Sequence, residues 1–156
     1  MELTNHKCPV LVLGIGNILL RDEGVGVRVI EALREMPLPE HVELCDGGTA
    51  GADLLDILSD RRKVIVIDAM DTDAEPGTVY RLTLDELRPA DTPPVSLHDI
   101  GLLETLDMAR YLGTQPDGVV VFGVKPANVD CGLELSPAVR QAIPRIIGLI
   151  LQEISG

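Results

Sequence analysis

The run KVIVIDA, Lys63 to Ala69, strings Val64, Ile65, Val66 and Ile67 together without a polar break. A strand with one wet face would alternate apolar and polar residues. An unbroken run of β-branched residues is instead a strand covered on both faces, which is the condition of a parallel sheet flanked by helices. The rest of the chain supplies the matching parts. Val10 to Leu13 is a first strand ending in the turn signal Gly14-Ile15-Gly16-Asn17, and Val42 to Cys45 is a second, closed by Asp46-Gly47-Gly48. Gly118 to Val124 is a last apolar strand, while Thr78 to Leu84 alternates as a strand near an edge does. Between them, apolar residues recur at helical spacing from Asp22 to about Glu35, where Pro37 and Pro39 stop the helix. Ala52 to Leu58 reads as a short helix. Another begins near Leu97 with Ser96 as its cap and runs toward Tyr111, with Gly113 past its end. Ser136-Pro137 opens a final helix to about Ile154, which Pro144 should kink or split. Strands alternating with helices predict a three-layer α/β/α sandwich. Its twisted sheet has about five strands, mostly parallel, with the Thr78 strand as the antiparallel exception.

Length and charge narrow the function. At 156 residues the chain suits a single domain, 1–156, and aromatics make up only 2% of it, so the core is built from Leu, Ile, Val and Ala. A formal net charge of −12 repels phosphate backbones and anionic lipid surfaces, and stacking platforms for bases are lacking. Neither nucleic acid nor membrane is an expected partner. The start MELTNHKCPV lacks the apolar core of a signal peptide, so a cytoplasmic protein is expected. Cys8, Cys45 and Cys131 are odd in number and far apart, which fits neither a disulfide framework nor a structural zinc site.

In a parallel sheet the carboxyl ends of the strands lie along one edge, and ligands bind in the crevice there. That edge gathers Asn17 and the pair Asp22-Glu23 after the first strand, Asp46 at the end of the second, Asp68 at the end of the third, and His98 at the start of a returning helix. Carboxylates with a neutral imidazole make a mixed oxygen and nitrogen site for nickel, zinc or manganese. Without a cation, clustered carboxylates repel. Each residue alone has an ordinary account: an acid in a first helical turn for Asp22 or Glu23, a turn residue for Asp46, a solvated or capping histidine for His98. Asp68 is harder to set aside, because an acid after four apolar residues is costly to bury unless paired or employed. A dinucleotide fingerprint is incomplete, since Leu19 stands where its third Gly belongs, and neither a Walker A sequence nor a G-x-S-x-G elbow occurs. Side-chain alternation turns Cys45 to the sheet face opposite Asp46, toward core packing.

The segments LGIGNILLRDEGVGVRVIEAL, DGGTAG, VIVIDAMD, SLHDIGL and GVKPANVDCGLELSPAV follow one another in order over most of the chain. Together they closely resemble the hydrogenase maturation proteases. The resemblance implies an endopeptidase that removes the C-terminal tail from a nickel-iron hydrogenase large-subunit precursor. It assigns metal binding to Glu23, Asp68 and His98, and a required role to Asp46. It further implies that the metal is nickel already held by the precursor, so that the protease keeps no permanent cofactor. Lys125, in GVKP, departs from the family's common Gln. A monomer is expected. Two other functions compete: a nucleotide or small-molecule enzyme using the Gly14 to Asn17 loop as an anion site, and a non-catalytic chaperone of the precursor.

Overall fold

The computed structural model describes residues 7–48, 53–87, 96–97 and 101–156. Its strands are β1 (Val10–Ile15), β2 (Val42–Gly48), β3 (Lys63–Asp71), β4 (Val79–Thr83), β5 (Ser96–Leu97) and β6 (Gly118–Val124). Its helices are α1 (Val25–Arg34), α2 (Leu54–Leu58), α3 (Leu84–Leu87), α4 (Gly101–Leu112) and α5 (Pro137–Ser155). The sheet runs in the order β2-β1-β3-β6-β4, with β5 paired to β3 off that path. Its first four strands are mutually parallel, and β4 lies antiparallel to β6 at an edge, as its alternation predicts.

Because successive side chains of a strand point to opposite faces, each central strand feeds two cores. Val10, Val12, Ile65, Ile67, Val120 and Phe122 pack with Val29, Ile30 and Leu33 of α1 and Val139, Ile146 and Ile150 of α5. Leu11, Leu13, Val64, Val66 and Val121 pack on the other face with Leu54 and Leu58 of α2 and Leu102 and Leu106 of α4. This is the three-layer sandwich, and KVIVIDA lies at its centre.

Local departures from the sequence reading have physical causes. The Asp46-Gly47-Gly48 signal does not end β2, because β1 continues to pair with it as far as Ile15 opposite Gly48. The segment beginning at Asp22 opens with a 3-10 turn, Arg21–Gly24, before α1 starts at Val25. Ser96 pairs with Asp71, and Leu97 with Met70, so no helix begins at Leu97, and α4 is described from Gly101 to Leu112. A turn of helix, α3, follows β4 where only strand and loop were expected. Its sequence signal is the capping box Thr83-Leu84-Asp85-Glu86, in which Glu86 Oε1 accepts the Thr83 N–H at 2.9 Å and its hydroxyl at 3.0 Å. Pro144 does not split α5, whose buried stripe Val139, Ala142, Ile146, Ile150 and Ile154 carries the helix through on packing. Ala52 and the Pro-rich piece RPADTPP lie outside the described residues.

Candidate active site

The chain leaves β1, makes β2 on one side of it and returns to make β3 on the other. Such a reversal opens a crevice at the carboxyl ends of the two strands, here β1 and β3. The 3-10 turn Arg21–Gly24 packs into that end of the sheet beside β3. Glycines allow the approach. Gly16 has φ +135°, and a Cβ there would overlap the Glu23 carbonyl oxygen; a Cβ at Gly26 would run into the backbone oxygens of Ile15 and Ile67. The glycines thus serve close backbone packing, and the protein's own turn fills the space an anion loop would need. Asn17 closes the tip, its Oδ1 accepting the Leu19 N–H at 2.9 Å.

Glu23 is 7% exposed and Asp68 wholly buried. Asp68 Oδ1 accepts the N–H of Ala69 at 2.8 Å. By alternation Asp68 shares the α2/α4 face with Val64 and Val66, one register step from the end of β1. The pairing of Leu97 with Met70 brings the chain just before His98 to within two residues of Asp68 along β3. His98 itself lies outside the described residues. Among the described residues no group of three His, Cys, Asp or Glu side chains is disposed to hold a metal ion. Glu23, in the turn that packs beside β3, and Asp68, near the end of β3, are the members of the expected set that lie buried at this end of the sheet among the described residues, and carboxylate oxygens suit a divalent cation.

Asp22, beside Glu23 in sequence, has a different task. Its Oδ2 accepts the N–H groups of Ala127 at 2.8 Å and Asn128 at 3.0 Å and the Ser136 hydroxyl at 2.8 Å, while Oδ1 accepts the Ser136 N–H at 2.8 Å. The Asp22 N–H in turn donates to the Asn128 carbonyl at 3.0 Å. Burial alone would raise the pKa of this carboxyl, but the hydrogen bonds from Ser136, Asn128 and Ala127 outweigh it and hold the group below the usual aspartate range. Ser136 therefore stands at the N-cap of α5 without capping it. Since β3 separates β1 from β6, the loops that follow these two strands must meet across the carboxyl end of β3, and Asp22 is their tie. Nothing in the dipeptide Asp22-Glu23 says which acid is the tie; the partner loop lies a hundred residues on in the chain.

Asp46 is exposed near the end of β2, in register with Gly14 of β1. It follows Val42 and Leu44 onto the α1/α5 face, the face opposite Asp68. Two strand spacings, about 10 Å, separate β2 from β3, so the fold sets Asp46 apart from Asp68 along the carboxyl end of the sheet. Cys45 packs partly buried against the α2/α4 core, as expected. Burial, followed by the charges of Glu43 and Asp46, pushes its thiol pKa up and so away from nucleophilic use. Lys125 Nζ pairs with Asp71 Oδ1 at 3.2 Å at the end of β3.

Residues 27–153 match the family model described as hydrogenase maturation protease. The chain is 38% identical over 144 residues to the hydrogenase 2 maturation protease of Escherichia coli K12, covering 91% of this chain and 88% of that protein. It is 40% identical over 158 residues to the hydrogenase expression/formation protein HupD of Bradyrhizobium diazoefficiens, covering 99% and 82%. Among solved structures, the hydrogenase maturating endopeptidase HybD from E. coli superposes with a TM-score of 0.83 at 34% identity, over 94% of this chain and 91% of that one.

Proposed function

The chain belongs to the hydrogenase maturation protease family and is a hydrolase of the endopeptidase kind, and on that footing we propose that it removes a C-terminal extension from a nickel-iron hydrogenase large-subunit precursor once nickel has been inserted. What supports this reading is the family membership together with two acids, Glu23 after β1 and Asp68 near the end of β3, both more than nine-tenths buried at the carboxyl end of the sheet. The nickel is part of the substrate. Glu23, Asp68 and His98 grip it and thereby hold the precursor, so that an unloaded precursor is passed over. Two carboxylates and an imidazole supply the mixed oxygen and nitrogen set that such an ion accepts.

Asp46 acts in this reading on the water or the scissile bond, as a general base or by sharing that work with the nickel, which polarises the carbonyl. Its exposure leaves it open to substrate. An extended polypeptide spans the roughly 10 Å from β3 to β2 in about three residues. Asp46 and Asp68 lie on opposite faces of the sheet, so in this reading the precursor segment crosses the carboxyl edge of the strands to reach both.

The test is to incubate the protein with nickel-loaded and metal-free precursor and to weigh the products. Loss of the tail from the loaded precursor alone is expected. Equal trimming of both forms would remove nickel from the recognition step, and retention of full-length precursor in both would overturn the assignment of substrate.

A further inference from the structure

Apart from Met36, the large apolar side chains exposed on the described surface form two sets. Met108, Tyr111 and Leu112 lie toward the end of α4, which returns the chain to the amino-terminal edge of the sheet, far from the crevice. Leu19 (59% exposed), Val129 (43%) and Leu133 (60%) lie at the carboxyl-terminal edge, on the two loops that meet across β3. Leu20 and Gly132 form a parallel bridge there. The Gly132 N–H donates to the Leu19 carbonyl at 2.9 Å, and the Arg21 N–H donates to the Gly132 carbonyl at 3.0 Å. Leu19 and Leu133 thus flank the same bridge, a few residues from Glu23 in the chain.

This exposure is held in place. Asp22 fixes the loop at Ala127, Asn128 and Ser136, and Arg28 Nη2 donates to the Leu133 carbonyl at 2.9 Å. A leucine kept in water forgoes about 1.5–3 kcal/mol of burial, so two of them presented on two loops tied to each other mark a surface formed in advance of its partner. Asp130 and Glu134, both exposed, alternate with the apolar residues and are the charges that this stretch itself presents, while the Arg21 guanidinium lies against Gly132 and that of Arg28 is engaged by the Leu133 carbonyl and Glu31.

We propose that this rim, Leu19, Val129 and Leu133 with Asp130 and Glu134 among them, docks the precursor through an extended segment whose apolar side chains are flanked by Lys or Arg. The proposal rests on the reading that the precursor is the substrate. It adds a second contact beside the crevice, one that recognises the polypeptide and not the metal. Continuity argues for this occupant: the loops that build the rim also carry and brace Glu23, so a chain anchored at the crevice must leave across or along them.

The test is steady-state processing of nickel-loaded precursor, with direct binding of the same precursor measured alongside. A Leu19→Ser/Leu133→Ser variant, altered only at exposed positions, is expected to raise KM about 10-fold while kcat stays within about twofold. Asp130→Lys/Glu134→Lys should raise KM by an amount that shrinks as salt is added. An unchanged KM in both variants overturns the proposal, as does a fall in kcat alone. So does a self-associating wild-type chain that the leucine variant makes monomeric, since the rim would then belong to a second copy. If the wild-type chain leaves the precursor uncut, binding separates the two ideas: affinity weakened by the leucine variant upholds the docking rim while the protease substrate falls, and affinity insensitive to it removes the rim.

Discussion

At the amino-terminal end of the sheet Arg61, 4% exposed, spends its guanidinium on structure: Nη1 donates to Glu43 Oε1 and the Cys8 carbonyl at 2.8 Å each, and Nε to the Ile57 carbonyl at 3.0 Å. Nearby Glu153 sits between Lys63 at 3.1 Å and Arg81 at 3.0 Å. The hydrogen bond from Arg81, then the pull of Lys63, hold its carboxyl below the usual range against the opposing effect of burial. At the carboxyl-terminal end the buried charges are acids: Asp22, Glu23 and Asp68. Asp22 has its negative charge satisfied by backbone and hydroxyl donors from a single loop. Burying a charge is costly unless it is compensated, so one end of the sheet matches acids with bases to hold the fold, while the other gathers buried acids, two of which, Glu23 and Asp68, the proposed function assigns to the precursor's nickel.

The sharpest way to break this contrast is Asp68→Asn. Losing one buried charged contact to substrate is worth about 3 kcal/mol, on the order of 100-fold in processing rate, and the isosteric amide should leave the melting temperature almost unmoved. Full activity in that variant would make the carboxyl end structural like its opposite. The reverse pattern is expected of Asp22→Asn, whose amide would confront the N–H donors now accepted, at a cost of about 2–4 kcal/mol at neutral pH. Because the folded-state pKa of Asp22 lies below its unfolded value of about 3.9, its contribution is complete above that pH and is lost as pH falls through the folded value. The stability gap between wild type and Asp22→Asn should therefore narrow in acid titrations followed by circular dichroism; a gap constant down to pH about 2 would contradict the tie.

Arg61→Met should cost somewhat less, about 2 kcal/mol, since it strips donors from two carbonyls and from a half-exposed Glu43. Denaturant unfolding measures it, and processing per folded molecule should be unchanged. Glu153→Gln closes the series at about 0.5 kcal/mol, because Arg81 is half exposed and solvent screens much of the pair. A loss as large as that from Arg61→Met would mean that the amino end works as one coupled network.

Much of this was legible in residue order. The apolar run of β3 implied cover on both faces, alternation placed β4 at an edge, and the acids at strand ends pointed to the carboxyl-terminal crevice. What remained hidden depended on partners far along the chain. Ser96-Leu97 looks like a helix cap until β3 offers it a strand edge, and Ser136 looks like an N-cap until Asp22 claims its hydroxyl. The Asp46-Gly47-Gly48 turn signal likewise yields to pairing with β1.

By itself the sequence determined the sandwich, because hydrophobic periodicity is a local property that acts on any chain bearing it. Only the tertiary structure decided that Asp22 ties the loop after β1 to the loop after β6, that Asp46 stands two strands from Asp68, and that two leucines remain in water on those tied loops. Those outcomes follow from strand order, which sets two loops a hundred residues apart against each other and gives Asp22 the donors that it finds there.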